Sequence, residues 1–224
     1  MTVEGRARRA ERLTVGPRLP PDTGHVLPRG FYERPTPRVA RDLLGSILVS
    51  RLGGTLTAGR IVETEAYLGP EDGASHAAFR PSSRHLFYGP GGVAYVFQAY
   101  GVHACLNAIA GPAGMPGCVL IRAIEPLAGL TTMARRRRQP LTPGASPRRR
   151  AALSAGPGRL TQALGITVRD NGRDLRWGPL RIHAAGRADR VTVQTGPRIG
   201  ITRSRELPFR FWIRGSLFVS GRTE

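Results

Sequence analysis

The stretch GRIVETEAYLGPED at residues 59–72 carries the pattern from which the organisation of this chain can be worked out. Its first half continues a β-strand predicted over residues 56–67, in which successive side chains point to opposite faces. Glu63, Glu65 and Tyr67 therefore share one face of the strand. Since a strand rises ~3.3 Å per residue, Glu65 and Tyr67 are expected to stand about 7 Å apart. This spacing suits an acid or a base beside a flat aromatic wall.

The same stretch concentrates negative charge in a very basic protein. Four of the 15 acidic residues fall within residues 63–72, although the formal net charge of the chain is +19. They are Glu63, Glu65, Glu71 and Asp72. One interpretation is an ordinary polar strand face exposed to solvent. The other interpretation is a catalytic group that acts on a bound polyanion. Clustered acids weaken the attraction between a basic protein and a polyanion, and a catalytic role would explain why they are present.

The composition favours a nucleic-acid partner. The chain has 224 residues, enough for one well-cored domain or two small ones, and its 34 basic residues are all arginine. Arginine forks bind phosphate oxygens bidentately. A GC-rich genome would explain the missing lysine but not the excess of cations over anions. Without lysine, the chain has neither a P-loop lysine nor a side-chain amine for a Schiff base, and only the N-terminal amine could replace the latter.

Hydrophobic periodicity and turn residues predict a single α+β domain. One helix is expected to have Thr36 as its N-cap and Pro37 as its first residue, and to stop at Gly45. Hairpin-length links favour a curved, mostly antiparallel sheet with surrounding helices and a protruding β-hairpin that has Tyr100-Gly101 at its tip. The predicted strands are residues 47–49, 56–67, 93–97, 105–109, 118–124, 191–193 and 209–213, and the further helices are residues 126–135 and 156–164.

Two segments differ in composition from this domain. Residues 1–26 are rich in Arg, Pro and Gly and are predicted to be a disordered basic tail, which leaves residues 27–222 as the folded domain. Residues 135–150 contain two arginine runs separated by prolines and are predicted to be a surface insertion. Contact with a DNA backbone and simple solvation are both open for this insertion.

The remaining composition indicates a reduced, cytoplasmic protein. Cys105 and Cys118 lack CxxC spacing and have apolar neighbours, so both are predicted to be small core residues. There is no signal-peptide pattern and no apolar run near 18 residues, so the sequence predicts no membrane contact. Any association with the nucleoid would come through DNA.

Several residues downstream of the acidic stretch have both a structural and a functional interpretation. Tyr95 and Phe97 share one strand face, which usually means core packing, whereas Tyr100 directly before a turn glycine suits a wedge between base steps. His76 is either a surface histidine or a pocket wall. Asn107 and Arg122 interrupt apolar strands, and a buried polar group needs a partner such as a substrate or a water.

The segment Gly156-Pro157-Gly158-Arg159 opens a predicted helix. The first amides of a helix have no partner within it, so this segment offers donors to a phosphate. A plain helix entry explains the same residues equally well.

Taken together, these residues resemble the alkyladenine (3-methyladenine, methylpurine) DNA glycosylase family. The resemblance spans roughly residues 27–220, in order and with similar spacing. It rests on RIVETEAY at 60–67, PED at 70–72, His76, YVF at 95–97, Tyr100-Gly101, Asn107, CVLIRAIEP at 118–126, SAGP at 154–157 and FWIRGS at 211–216.

The resemblance implies a catalytic pair and a base pocket. Glu65 matches the general base for an attacking water, and Arg122 matches the arginine that holds this water and a nearby phosphate. Tyr67 and His76 match residues that sandwich a flipped base, with Phe97 as the opposing wall.

Further positions match residues that test the base or contact DNA. The His76 backbone amide matches a donor that tests the six-position of the purine, and Asn107 matches the residue that crowds the two-amino group of guanine. Tyr100 matches the wedge that enters the minor groove. Gly156 and Arg159 are expected to make weaker contacts with the DNA backbone.

The implied function is that of a monofunctional base-excision-repair glycosylase. It would flip alkylated or deaminated purines out of double-stranded DNA and hydrolyse the N-glycosidic bond, acting as a monomer without cofactor or metal. Expected substrates are 3-methyladenine and 7-methylguanine, and acceptance of hypoxanthine and ethenoadenine stays open. Phe97 departs from the tyrosine that the family often has, His103 replaces a common aromatic residue, and the insertion at 135–150 is not a family feature.

Two other classes of protein remain open on the residues alone. The four clustered acids are also the hard oxygen ligands that a metal-dependent nuclease requires. Tyr100 and the arginines would also suit a non-catalytic protein that binds the minor groove.

Overall fold

The computed structural model of the protein describes residues 18–20, 23–142, 144–186 and 191–221. It confirms a single α+β domain built on one open, antiparallel sheet of eight strands. The strands are β1 (Ile47–Ser50), β2 (Thr57–Tyr67), β3 (Ala94–Ala99), β4 (His103–Ile109), β5 (Cys118–Ala128), β6 (Leu180–His183), β7 (Val193–Gly196) and β8 (Arg210–Ile213).

Short helices surround this sheet. They are α1 (Arg29–Tyr32), α2 (Thr36–Asp42), α3 (His76–Phe79), α4 (Arg84–Phe87), α5 (Leu130–Arg136), α6 (Pro147–Ala151) and α7 (Pro157–Leu164). Three 3₁₀ turns lie at Leu52–Gly54, Pro81–Ser83 and Val168–Asp170. Within the described ranges, no helix combines the length and the apolar character that crossing a membrane requires.

Strand β2 is the centre of the sheet. The strand order is β3-β4-β5-β2-β1-β6, and β8 pairs with both β2 and β7. The first half of β2 pairs with β1, its second half pairs with β8, and β5 runs along its other side. Glu63 and Glu65 are paired with strands on both edges of β2 and both side chains are fully buried, so the interpretation as a solvent-exposed strand face is wrong.

A bulge aligns the charged residues of β2 and β5. Ile61 faces Ile124 and Thr64 faces Ile121, whereas Arg122 has no direct partner in the ladder. Bulges often change the direction in which a side chain points. The guanidinium of Arg122 reaches both Glu63 and Glu65. The opposite face of β2 packs on α2, where the Thr64 hydroxyl donates to the Ala40 carbonyl at 2.8 Å.

Several predicted boundaries were wrong. Residues 126–128 continue β5 because they still pair with β2, and the helix begins only at Leu130, after Gly129 turns the chain at a φ of 74°. Thr36 is the first helical residue and not the N-cap, since its hydroxyl donates to the Ala110 carbonyl. The strand predicted at 191–193 lies at 193–196.

The two segments set apart by composition are only partly described. Residues 1–17 and 21–22 of the predicted tail lie outside the described residues, as does Pro143 of the insertion. Residues 23–26 are not loose, because the Gly24 amide donates to the Ala184 carbonyl and Val26 bridges to His183. In the insertion, Arg136 donates to the Leu52 and Ala163 carbonyls and residues 147–151 form α6, so these residues are held to the domain.

Candidate active site

A cavity of about 740 Å³ opens on the sheet face formed by β2 to β5. Its size is typical of ligand-binding pockets. The walls are largely aromatic and apolar, and they include six of the residues predicted to form a site: Tyr67, His76, Phe97, Tyr100, Asn107 and Arg122. Cys105 and Cys118 are buried, as predicted, but they also line this cavity.

Glu65 lies directly behind the cavity wall. Its side chain is completely buried, and three donors hold its carboxylate. The Tyr67 hydroxyl and Arg122 donate to Oε2 at 2.8 and 3.2 Å, and the Ile199 backbone amide donates to Oε1 at 2.7 Å. All three donor residues line the cavity. The carboxylate is therefore fixed in position, and Oε1 retains a lone pair for a further donor such as a water.

Glu63 occupies a purely internal position on the same strand face. Its Oε1 accepts from Arg122 at 3.0 Å and from Arg210 at 2.8 Å, and its Oε2 accepts from the Ser220 amide at 2.6 Å. Of its three donors, only Arg122 lines the cavity. The two glutamates and two arginines form a buried network in which two negative charges balance two positive charges, so neither carboxylate is buried without a counter-charge.

A second buried ion pair lies behind Tyr67, a residue of the cavity wall. Arg198 donates to both carboxylate oxygens of Asp72, at 2.6 and 2.9 Å, and both side chains are fully buried. The guanidinium also lies 4.7 Å from the centre of the Tyr67 ring. Because Tyr67 lines the cavity and Arg198 does not, the arginine covers the ring face that points away from it. Burial, followed by the nearby Glu65 carboxylate, raises the pKa of the Tyr67 hydroxyl, so this group stays a proton donor.

The sequence did not single out the loop that contains Arg198 and Ile199. This loop supplies one of the three donors to Glu65 and the arginine beneath Tyr67. Arg210 and Ser220, which bind Glu63, were missed in the same way. A backbone amide leaves no signal in a sequence, and single arginines are unremarkable in a chain that has 34 basic residues.

His76 is held in the wall by its neighbours. Its ring centroid is 4.3 Å from that of Phe97, and its Nδ1 lies 2.7 Å from the Tyr95 hydroxyl. Burial, helped by Arg80, lowers the pKa of His76 to about 4. The imidazole is therefore neutral near neutral pH. Among the described residues, no acceptor is recorded for the His76 backbone amide.

The hydrogen bonds around Tyr95 assign the tautomer of His76. The Tyr95 oxygen accepts from the Ser83 hydroxyl at 3.2 Å, and Arg80 points to it at 3.5 Å. Its own proton is then directed to Nδ1 of His76, which leaves the imidazole proton on Nε2. The sequence indicated only a core role for Tyr95, yet its hydroxyl determines which ring nitrogen of His76 carries the proton.

Replacing Tyr95 by Phe should remove the preference of His76 for the tautomer protonated on Nε2. Nitrogen chemical shifts of the His76 ring in the wild type should report a neutral ring protonated on Nε2 at pH 7. In the variant, the removal of the donor to Nδ1 should give a mixture of the two tautomers. Tyr88→Phe is the matched control, since Tyr88 is half exposed and its recorded ring contact is with Arg84. Identical His76 shifts in both variants would contradict the assignment.

Asn107 is held in place because its amide groups form hydrogen bonds within the protein. Its amide nitrogen donates to the Tyr95 carbonyl at 3.0 Å, and its oxygen accepts from the Cys118 thiol at 3.7 Å. Arg122 directs three nitrogens at Glu63, Glu65 and the Ser220 hydroxyl. Both residues were predicted to be buried polar groups that need partners, and the protein itself supplies most of them.

Tyr100 projects from the end of the β3–β4 hairpin. It is 88% exposed and has a φ of 51°, and the neighbouring Val102 is 70% exposed. A tyrosine that combines a left-handed backbone with an almost fully exposed ring is uncommon. The hairpin thus presents an apolar tip at the rim of the cavity.

The segment at Gly156–Arg159 also borders the cavity. Gly156 precedes α7, Pro157 lines the cavity, and Arg159 is exposed with one nitrogen directed at the Ala155 carbonyl. The predicted helix entry is therefore confirmed, and it lies beside the cavity.

The four clustered acids do not assemble as metal ligands. Glu63 and Asp72 are bonded by arginines, whereas exposed Glu71 accepts from the Gly69 amide. Within the described part of the chain, no group of three or more His, Cys, Asp or Glu side chains is placed to hold a metal ion. The arrangement instead resembles a single carboxylate positioned beside an aromatic pocket, which is the geometry expected for general-base catalysis on a flat substrate.

Comparison with known proteins agrees with the family resemblance seen in the sequence. A family model described as methylpurine-DNA glycosylase matches residues 30–217. A protein of Methanoculleus marisnigri is 46% identical over 204 residues, covering 88% of this chain and all of the relative. Proteins of Koribacter versatilis (45% identical, 88% of this chain and 93% of the relative) and Bradyrhizobium diazoefficiens (42%, 90% and 94%) are also similar. All three carry the name "Putative 3-methyladenine DNA glycosylase".

Proposed function

This chain belongs to the methylpurine-DNA glycosylase family, and from this premise we propose that it is a monofunctional 3-methyladenine DNA glycosylase of base-excision repair. It extrudes a damaged purine from double-stranded DNA, hydrolyses the N-glycosidic bond and leaves an abasic site. The observation that carries this proposal is the position of Glu65, which three donors hold immediately behind the wall of an aromatic cavity.

The reaction requires a water and one proton acceptor. As the bond between C1′ and the purine nitrogen breaks, its electron pair leaves with the base and the sugar becomes oxocarbenium-like. The water oxygen forms the new bond to C1′, and its proton passes to Glu65. The negative charge of Glu65 also stabilises the positive sugar. No lysine is available for a competing lyase step, so the products are a free base and an intact abasic strand.

The aromatic walls suit purines that carry a positive charge. Tyr67, His76 and Phe97 all border the cavity, and the ring of Tyr67 is fixed from behind by Arg198. A cationic base such as 3-methyladenine or 7-methylguanine gains ~0.5–2 kcal/mol from contact with aromatic faces. Unstacking also costs least for a poorly paired lesion, which adds selectivity.

Neutral lesions depend on shape and on hydrogen bonds. For hypoxanthine and ethenoadenine, we assign the base-testing donor to the His76 backbone amide, which has no recorded acceptor among the described residues. Asn107, whose donors point into the protein, would act on the two-amino group of guanine by crowding alone. Phe97 provides a wall without a hydroxyl, so recognition through that position relies on stacking.

Replacing Tyr100 by Ala should impair the extrusion of a paired lesion. An inserted aromatic ring gains ~1–3 kcal/mol by stacking, and this gain is lost with the side chain. Excision from a duplex should therefore slow, whereas excision from an unpaired lesion should change little. Single-turnover release of the base on both substrates is the measurement. Val102→Ala, in the same exposed turn, is the control, and equal losses on paired and unpaired lesions would show that Tyr100 is not a wedge.

The function itself is tested with duplexes that each contain one defined modified purine, followed by detection of the free base. Release of 3-methyladenine in the presence of EDTA, with strand breaks only after alkali, is the expected result. Loss of activity with EDTA or direct strand cleavage would indicate a nuclease. Tight binding with no base released from any lesion would indicate a non-catalytic minor-groove protein. Sedimentation of the protein with and without DNA tests the proposed monomer.

A further inference from the structure

The segment at the end of β5 and beyond it is rich in arginine and contains no acidic residue. Residues 126–169 contain nine arginines and no aspartate or glutamate, and the chain as a whole has a net charge of +19. Elsewhere the fold pairs surface arginines with acids, as in Arg34–Asp42 at 2.8 Å and Arg173–Asp170 at 2.7 Å. Within the described residues, no carboxylate comes within ion-pair distance of an arginine of this segment.

The fold brings two of these arginines together from separate helices. Arg137 directly follows α5, and its guanidinium donates to the Gln162 side chain on α7. Arg159 lies on the exposed side of the first turn of α7. Burial, followed by the positive charge of Arg159, lowers the pKa of Arg137, as expected when two cations lie close together. Like charges held together oppose folding, so a polyanion that binds both of them would relieve the repulsion.

Helix α7, which carries Arg159, lies next to the tip end of the Tyr100 hairpin. A Cβ at Gly158 would be only 2.8 Å from the Cβ of His103, and the Thr161 hydroxyl donates to the Ala104 carbonyl at 2.9 Å. Helix α7 is thus packed against the start of β4. From the hairpin tip, His103 contacts α7 beside Arg159, and the Arg137–Gln162 hydrogen bond joins the same helix to the end of α5.

We propose that Arg137 and Arg159 bind phosphates of the DNA duplex on one side of the lesion. Paired guanidinium groups match phosphate oxygens, and the position beside the hairpin continues the path of a duplex into which Tyr100 is inserted. The proposal depends on the proposed function for the orientation of the DNA, but not for the binding itself. It gives the arginine-rich insertion, at its junction with α5, a role in holding DNA that the catalytic cavity does not provide.

The test is the salt dependence of binding to undamaged duplex DNA. The slope of log K against log salt should fall by about 0.9 for every phosphate that the protein no longer neutralises. Arg137→Gln and Arg159→Gln should each lower the slope by about this amount, and the double variant by roughly twice as much. Arg181→Gln is the matched control, because Arg181 lies on β6, at the other end of the sheet from the hairpin. Unchanged slopes in both single variants would overturn the proposal.

A second measurement tests which side of the lesion is contacted. Duplexes shortened on one flank or the other are compared for binding to the wild type and to Arg159→Gln, an exposed change that should not disturb the fold. The variant should lose affinity relative to the wild type only when one particular flank is present. An equal loss on both truncated duplexes, or a loss seen with RNA hairpins but not with DNA, would contradict the assignment. Since no excision is required, failure of the glycosylase proposal would leave both measurements interpretable.

Discussion

Replacing Glu65 by Gln is expected to reduce base release by about 10²–10⁴-fold, the usual contribution of a general base. Glutamine has nearly the same shape, and its oxygen in the Oε2 position can still accept from Tyr67 and Arg122, with only the hydrogen bond from the Ile199 amide lost, so the cavity should persist. The variant cannot take the proton from water, and it removes the negative charge that stabilises the sugar. Single-turnover release of 3-methyladenine at saturating protein measures the loss. Binding to lesion-containing duplex should remain within a few-fold of the wild-type affinity.

Glu63→Gln is the matched control for this experiment. Glu63 is on the same strand face and shares the Arg122 partner, but its other two donors, Arg210 and the Ser220 amide, lie away from the cavity wall, whereas all three donors of Glu65 line the cavity. Removing its charge leaves buried Arg122 and Arg210 undercompensated, so this variant should lose stability by ~3 kcal/mol or more. Its rate of release per folded molecule should stay close to that of the wild type. If the two variants lost activity equally, the special role of Glu65 would be refuted.

Replacing Asp72 by Asn is expected to lower the free energy of unfolding by ~3–5 kcal/mol. The cause is Arg198, whose charge is fully buried and whose remaining recorded acceptors are the Ala66 and Ser204 carbonyls. Urea unfolding at pH 7 measures the difference. Asp42→Asn removes an exposed pair of similar length with Arg34, and it should cost less than about 1 kcal/mol. Similar losses in both variants would mean that the buried pair has no special importance.

The stability difference at Asp72 should also depend on pH in one direction. Burial alone would raise the pKa of Asp72, but hydrogen bonds from Arg198 and from the Leu68 and Ala74 amides outweigh it and lower the pKa below the usual 3.8. A carboxylate with a lowered folded-state pKa stabilises the protein above its unfolded pKa, and this contribution is lost as the pH falls through the folded value. The gap between wild type and Asp72→Asn should therefore be constant above about pH 5 and narrow below about pH 4.

Local patterns were sufficient to predict the elements that carry the site. The alternation over residues 56–67 identified β2 and placed Glu63, Glu65 and Tyr67 on one face, because the two-residue period of a strand depends only on neighbours in the chain. Tyr100 before a glycine likewise predicted the tip of a hairpin. Family motifs then allowed the cavity-lining residues to be named in advance.

The different environments of Glu63 and Glu65 could be seen only in the folded protein. Glu63 and Glu65 have the same strand parity and the same neighbour Arg122, yet one is wholly internal and the other adjoins the cavity. The difference comes from their other donors: Arg210 and the Ser220 amide bind Glu63, from 147 and 157 residues away, and the Ile199 amide of the cavity wall binds Glu65 from 134 residues away. Periodicity determines the face on which a side chain lies, whereas the remote segment that covers this face is chosen by packing of the whole chain. For the same reason the Ile199 amide and the Arg137–Arg159 pair emerged only when loops and helices distant in sequence were brought into contact.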